Sequence, residues 1–425
     1  MKRRNFLKTS AVGSAAILSS FYVPSLQNGR KIKIGLIGAG WYGMVDLKAA
    51  LKVGGVEVTA ICDVDSEHLK SSADELEKLQ GSRPITFKYY NDLLDVKSLE
   101  AIFIGTMPHW HALQFIDTCK KGLDIYCEKP LSYDIMEGVA MVKAWKTAGN
   151  IVQIGFQRRQ SQAYSKAKEL IETGKIGNVH QIVAQIHYNP GPQDSTIQPP
   201  PASLDWEEWC GPAPKLDYRP NIGHKAWRLE KEYGNGHLVD WGIHHIDIIR
   251  KIMGESMPEE FYTRGGIYEF KGRITTPDML TSNMLFQKAP LLWQHRLWGT
   301  GDVTDEFDNG IFFYGDKATL FAEDSKIVIF PAGKGAKRED LSIPTPTMQE
   351  NHVAGFLNAV RNKDKTLIIS TPEDAFKSTA TVQLAMISYY TGTVVKWDQG
   401  KNTIIGNPEA AKLLKREYRG KYIHP

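Results

Sequence analysis

Over residues 31–155, short apolar runs alternate with amphipathic stretches. "KIKIGLIGAG" is an Ile-rich run that ends in glycine and gives way to helix-forming residues through Leu51, which predicts strand, tight turn and helix. "VEVTAICDVD", "AIFIGT" and "LDIYCEKP" predict three more strands, with helices over Asp65–Leu79 and His111–Lys121 between them. Alternating strands and helices predict a parallel sheet with right-handed crossovers. "IVQIGFQRR" adds one more strand, where the first domain hands over.

Beyond Ser161 the pattern changes. A helix over "AYSKAKELIETG" is followed by "NVHQIVAQIHYN", whose alternation predicts an antiparallel strand. The Pro-rich, aromatic-rich "NPGPQDSTIQPPPASLDWEEWCGPAPKLDYRP" is too long for an ordinary connection, so it is a lid or a packed irregular layer. Strand patterns recur in "MLTSNMLFQ", "PLLWQHRLWG", "NGIFFYGDKATLFAE" and "SKIVIFPAG". Helices over "NHVAGFLNAVRNK" and "TPEDAFKSTATVQLAMISYYTG" are expected to close this second domain, leaving a basic, Tyr-containing tail. The expected organisation is an export signal over 1–30, a doubly wound α/β domain over 31–155, an α+β substrate and oligomerisation domain with a large, mainly antiparallel sheet over 156–395, and a tail over 396–425.

The length of 425 residues agrees with two domains, and 42% hydrophobic residues with ten tryptophans mark a globular chain. A net charge of +4, without basic runs interleaved with aromatics, excludes a nucleic-acid surface. The start, "KRRNFLKTSAVGSAAILSSFYV", has a basic head and a weakly apolar, small-sided run too short for a good membrane span. Arg3 and Arg4, followed by Asn5, Phe6, Leu7 and Lys8, resemble a twin-arginine signal, which predicts a folded, periplasmic protein. Its cleavage site, or its retention as an anchor, is left open. Cys62, Cys119, Cys127 and Cys210 have no CxxC spacing and read as core residues.

Gly38, Gly40 and Gly43 form GxGxxG directly after a strand, and Asp63 ends the next strand. The glycines allow a tight turn, close approach of a pyrophosphate and close helix packing, while Asp63 can accept the ribose hydroxyls and repel a 2′-phosphate. NAD is the expected cofactor. Glu128, Lys129 and Pro130 stand at the C-terminal end of a parallel strand, the edge at which such sheets bind ligands. A lysine there can orient or polarise a hydroxyl. In "GNGHLVDWGIHHIDIIR", a helix over 237–252 places Asp240, His244 and Asp247 on one face and points His245 elsewhere. Asp240 can then fix the tautomer of His244 as a general base; polar core and metal site are the alternatives, and no HExxH or second His cluster supplies metal ligands.

"GAGWYG", "TMPHWHA", "CEKPLS", "GKIGNV" and "GNGHLVDWGIHHID", in this order, resemble the glucose-fructose oxidoreductase / inositol dehydrogenase / MocA (Gfo/Idh/MocA) family over nearly the whole chain after the signal. The resemblance implies a Rossmann domain holding NAD through Gly38, Gly40, Trp41, Tyr42, Gly43, Asp63, Thr106, Pro108, His111, Glu128, Lys129 and Pro130, with Pro130 a candidate cis proline. It implies Lys129, Asp240 and His244 for hydride transfer at a carbohydrate or cyclitol carbon. Arg159, Trp227, Arg228 and His245 are expected substrate contacts, while Trp206 and Trp209 are equally packing residues. A homodimer or homotetramer is the family expectation. The expected reaction is NAD-dependent oxidation of a sugar, glycoside or cyclitol hydroxyl, with tightly bound NAD. The alternatives are a redox-neutral NAD-dependent glycosidase or keto-sugar lyase, through oxidation at C3, elimination and re-reduction, and a non-catalytic NAD- or sugar-binding protein.

Overall fold

In the computed structural model the described residues are 29–191, 193–224, 226–299 and 304–425, so nearly all of the expected export signal lies outside them. No helix among them is long and apolar enough to cross a membrane.

The first half runs β1 (Ile32–Ile37), α1 (Trp41–Val53), β2 (Val56–Cys62), α2 (Ser66–Gln80), β3 (Ile85–Phe87), α3 (Tyr90–Leu94), β4 (Ala101–Ile104), α4 (Pro108–Lys120), β5 (Asp124–Cys127), α5 (Ile135–Ala148) and β6 (Val152–Ile154). The six strands are parallel in the order β3-β2-β1-β4-β5-β6. This is the doubly wound sheet expected, with one strand more. β3 has only three residues, largely exposed, so no apolar run announced it. The apolar runs of β1, β4 and β5 are buried on both faces because helices cover both sides of the sheet.

The second half runs α6 (Gln162–Glu172), β7 (Val179–Ile186), α7 (Trp206–Cys210), α8 (Ile243–Met253), β8 (Glu260–Gly266), β9 (Met279–Leu285), β10 (Pro290–Arg296), β11 (Asn309–Gly315), β12 (Ala318–Ala322), β13 (Lys326–Pro331), β14 (Glu339–Ser342), α9 (Met348–Asn362), α10 (Pro372–Thr391), β15 (Val395–Asp398), β16 (Thr403–Ile405) and α11 (Pro408–Ala411). Ten strands form one sheet in the order β14-β13-β12-β11-β7-β10-β9-β8-β15-β16. Every pair is antiparallel except β7 with β10. α6, α8 and α10 cover one face, where Phe261, Leu280, Leu291 and Phe313 are fully buried. Polar residues alternate with these along the strands, and Tyr262 and Tyr314 stand exposed.

One helix is misplaced by the sequence pattern. α9 does not close the second domain; its Val353, Phe356, Leu357 and Val360 pack with Ile34, Leu36 and Leu47 of the first. Its period identifies a helix, but periodicity does not name the surface it covers.

The Pro-rich stretch forms an arm over residues 187–235 that reaches the first domain. Ser66 N–H donates to the Ser203 carbonyl (2.9 Å) and Asp205 N–H to the Val64 carbonyl (3.1 Å). Trp206 and Trp209 stack at 4.5 Å and pack with Tyr218 and Tyr233 against Val64 and Met107, so both are packing residues. The tail binds this arm from outside. Arg419 donates to the carbonyls of Gly211 and Ala213 (3.0 Å each), and the Tyr422 ring meets Trp110 edge-on at 5.3 Å.

Candidate active site

The arm crosses the C-terminal ends of β2 and β4, the edge at which an open parallel sheet takes its ligand. Gly38 has φ +90° at the turn between β1 and α1 and donates its N–H to the Cys62 carbonyl (2.9 Å), which ties the turn to the end of β2. A Cβ on Gly43 would stand 2.1 Å from the Gly38 carbonyl oxygen, so any side chain there separates helix from strand. At Gly40 the nearest such atom, His68 Nδ1, is 3.9 Å away, which leaves room for an incoming group. No side chain caps the start of α1, whose free N–H groups can receive an anion.

Asp63 follows β2 and accepts the Asp65 N–H at 2.9 Å. Burial pushes its pKa up to about 6, against the hydrogen bonds it accepts and the nearby His68. Asp65 caps α2, and its other oxygen lies 3.2 Å from Nε2 of His224, whose ring meets His68 at a tilt, 4.3 Å between centres. These three residues were missed: His224 is an isolated loop histidine, and only the docked arm brings it to Asp65 and His68. Trp41 is 53% exposed at the mouth, whereas the Tyr42 hydroxyl turns inward to Gln157. Thr106 donates its hydroxyl to Gln114 Oε1 (2.6 Å), and Pro108 opens α4. His111 is buried, with Nδ1 2.8 Å from the Pro130 carbonyl and Nε2 3.0 Å from that of Thr106. It joins the ends of β4 and β5 from behind and does not face the crevice.

β5 ends in Glu128, Lys129 and Pro130, and the Lys129–Pro130 bond is cis. Glu128 is buried, which pushes its pKa up to about 7; one oxygen accepts the Lys129 N–H (3.2 Å) and the other has no partner among the described residues. Lys129 Nζ donates to the Asp240 carbonyl (2.8 Å) and to its Oδ1 (3.1 Å). Arg228, from the arm, binds the other Asp240 oxygen through Nε at 2.8 Å, with its guanidinium 4.6 Å from the Trp227 ring centre and 5.9 Å from that of Trp41. Although burial opposes it, Lys129 and Arg228 hold the Asp240 carboxyl below its ordinary pKa, so it is ionised.

Asp240 therefore does not orient His244, as the sequence pattern suggested. Leu238–Gly242 forms a wider, π-type turn before α8, and this changes the phase of the helix face. His244 lies between the rings of Trp241 (6.3 Å) and Phe156 (6.5 Å), and its Nδ1 has no partner among the described residues. Burial, then the positive charges of Lys129 and Arg158, lower its pKa well below 6.5, so the ring is neutral at pH 7.

Three further expectations are corrected. Asp247 does not share a site with Asp240 and His244: its carboxylate is taken by Arg159 (2.5 and 2.7 Å) and Ser378 (2.8 Å). Arg159 is accordingly no substrate contact; its side chain is 4% exposed and also binds Asp374 at 2.6 Å. His245 is fully buried behind His244, with Nε2 3.1 Å from Arg158. Arg158, the neighbour not selected from sequence, is the one that faces the site, over the Trp241 ring at 5.8 Å.

Two family models match the chain. One, described as "Oxidoreductase family, NAD-binding Rossmann fold", covers residues 32–156, and the other, "Oxidoreductase family, C-terminal alpha/beta domain", covers 168–397. Myo-inositol 2-dehydrogenase of Thermotoga maritima is 25% identical over 301 residues, 69% of this chain and 75% of that protein. A levoglucosan dehydrogenase solved with NADH and levoglucosan is similar in fold at a TM-score of 0.67, with 17% identity over 86% of this chain and 99% of that one. The aldose-aldose oxidoreductase of Caulobacter crescentus, solved with glycerol, gives 0.65, with 18% identity over 86% and 100%.

Proposed function

The chain belongs to the Gfo/Idh/MocA family of NAD-dependent oxidoreductases, and from that premise we propose that it oxidises a hydroxyl of a sugar, glycoside or cyclitol, with Lys129, Asp240 and His244 as its catalytic group. The single observation that carries this reading is the join of Lys129 Nζ to Asp240 beside a neutral His244, at the strand end that borders the dinucleotide crevice.

The crevice fits NAD: Gly43 admits no side chain, Gly40 faces open space, Asp63 offers a carboxylate for the ribose, and one Glu128 oxygen is left without a partner. When bound, the nicotinamide supplies a hydride acceptor and donor. The chain's own groups handle the proton. His244, neutral, can take the hydroxyl proton on a ring nitrogen, while the Lys129 ammonium stabilises the alkoxide that forms. Asp240 fixes Lys129 through two acceptors and shares its charge with Arg228, which keeps the ammonium aimed. The rings of Trp41, Trp227 and Trp241 offer apolar faces to the C–H side of a carbohydrate.

The working parts in this proposal are the signal over 1–30, the dinucleotide domain over 31–155 with α9 packed on it, the substrate domain from 156, whose sheet continues past 395 to Ile405, and the tail that holds the arm. Export to the periplasm is supported by Arg3, Arg4 and the residues after them. A homodimer or homotetramer is supported by the exposed aromatic face of the ten-stranded sheet. The docked arm favours, as a second reading, a retained NAD that serves redox-neutral cleavage, because it covers the ends of β2 and β4.

The test is turnover of a polyol and glycoside panel in heavy water, with and without added NAD. Stoichiometric NADH from a polyol supports net oxidation, and cleavage with deuterium at C2 and no NADH supports the second reading. Lys129→Met and His244→Ala should each lower kcat by about 10²–10⁴ with NAD affinity retained. Turnover equal to that of the unaltered protein refutes the assignment of these residues.

A further inference from the structure

Aromatic rings continue from the catalytic group toward a second cavity that the reading above does not use. Trp241 lies 6.3 Å from the His244 ring, and Tyr188 lies another 6.3 Å beyond Trp241. Tyr188 is 47% exposed. One face of its ring is parallel to His237 at 5.9 Å, with only 4° between the planes. The next residue, Asn189, enters the lining of a cavity of about 500 Å³ shared with Gly191, Glu269, Phe270, Trp298 and Gly299. That volume falls in the range of small-molecule clefts, about 300–1,000 Å³.

The cavity is built on a buried group. Asp278 is fully buried, and its carboxylate accepts the N–H groups of Tyr268, Glu269 and Phe270 (2.8–3.1 Å) and Nε1 of Trp298 at 3.3 Å. One carboxylate thus fixes both the rim that carries Glu269 and the indole beside it. On the opposite side, Tyr188 is held by its N–H to the Arg296 carbonyl (3.1 Å). Asn189 uses its Oδ1 for the Gly191 N–H (2.9 Å), which leaves its amide N–H groups free of that bond. Aromatic faces beside amide and carboxylate groups suit the alternating apolar and hydroxylated sides of a pyranose ring.

Resting on the carbohydrate reading of the catalytic group, we propose that this cavity is a second sugar subsite and that the substrate is a glycan of at least two rings. The ring to be oxidised occupies the space at Lys129 and His244. The adjoining ring lies against the exposed part of Tyr188, with its hydroxyls toward Asn189 and Glu269 and its far side against Trp298. A single polyol fills only the first position and leaves the second without an occupant.

The test is calorimetric titration of the NAD-loaded protein with the methyl glycoside, disaccharide and trisaccharide of glucose, galactose, mannose and N-acetylglucosamine in both anomeric linkages. In at least one series the disaccharide binds about tenfold or more tightly than the methyl glycoside, the worth of one good ring-stacking contact. Trp298→Ala and Asn189→Ala each return that ratio toward one; Asn189, on the exposed arm, covers the case in which the Trp298 variant does not fold. A ratio of one in every series, or a gain that survives both substitutions, overturns the subsite. Nicotinamide absorbance on the same samples separates the two proposals. Reduction without a chain-length gain refutes the subsite alone, whereas a chain-length gain without reduction refutes the oxidoreductase reading and leaves the subsite standing.

Discussion

Arg159→Met distinguishes a buried structural cation from a substrate contact. The guanidinium makes two bonds to Asp247, at 2.5 and 2.7 Å, and both side chains are at most 4% exposed. Removing the arginine leaves Asp247 with the Ser378 hydroxyl at 2.8 Å and Arg250 at 3.9 Å, too little to satisfy a carboxylate that water cannot reach. Breaking a buried pair from one side costs about 3–5 kcal/mol. The bond to Asp374 adds little, because that carboxylate is 41% exposed and also paired with Arg250. For a cooperative unit of the size of the second domain, the loss lowers the melting temperature by an amount on the order of 10 °C. Differential scanning calorimetry measures it, with sugar KM determined in parallel. Arg159→Met combined with Asp247→Leu should recover part of the loss, since replacing both charges by apolar groups strands neither. An unchanged melting temperature with a raised KM would refute the reasoning and return Arg159 to the substrate site.

NAD affinity should fall as the pH drops through about 6, because Asp63 titrates there and accepts ribose hydroxyls best when ionised; Asp63→Asn should flatten the profile, as fluorescence titration would show. Glu137, buried beside Asp134, has its pKa raised from 4.5 to about 7. Its folded value lies above its unfolded one, so its contribution to stability is complete below pH 4.5 and is lost as the pH rises to about 7. Glu137→Gln should remove that slope from urea midpoints measured across the window, and an unchanged slope counts against it. Gly43→Ala, with its Cβ 2.1 Å from a carbonyl oxygen, should abolish NAD binding in calorimetry, and near-normal affinity would contradict the packing described.

The parts of the site legible in the sequence are those encoded within one turn or one strand end. The glycines at 38, 40 and 43, Asp63 and Lys129 owe their places to a strand, a turn and a helix read in order. What escaped depends on partners far along the chain. Lys129 meets Asp240 across 111 residues, and nothing in either segment indicates that the carboxylate serves the lysine and not the histidine four positions on. The π-type turn at Leu238–Gly242 decides that question, and no residue type in it announces a wider turn. Arg158 and Arg159 are adjacent and identical, so only packing tells which of them is buried against Asp247. The fold was legible to the same depth: the parallel sheet and the central strands of the second sheet were visible, but not the three-residue β3, nor β8, β14, β15 and β16, the last two at the start of the expected tail, nor the return of α9 to the first domain.

The roof over the dinucleotide crevice also sets an order of events during synthesis. Asp65 pairs with Leu204 roughly 140 residues later, an interval of roughly ten seconds at ribosomal rates of 5–20 residues per second. Arg419, which binds the arm at Glu207, follows that residue by 212 positions. A nascent chain therefore presents Gly38, Gly40 and Asp63 uncovered well before the arm and tail exist to cover them. Cofactor can be captured during translation and enclosed afterwards.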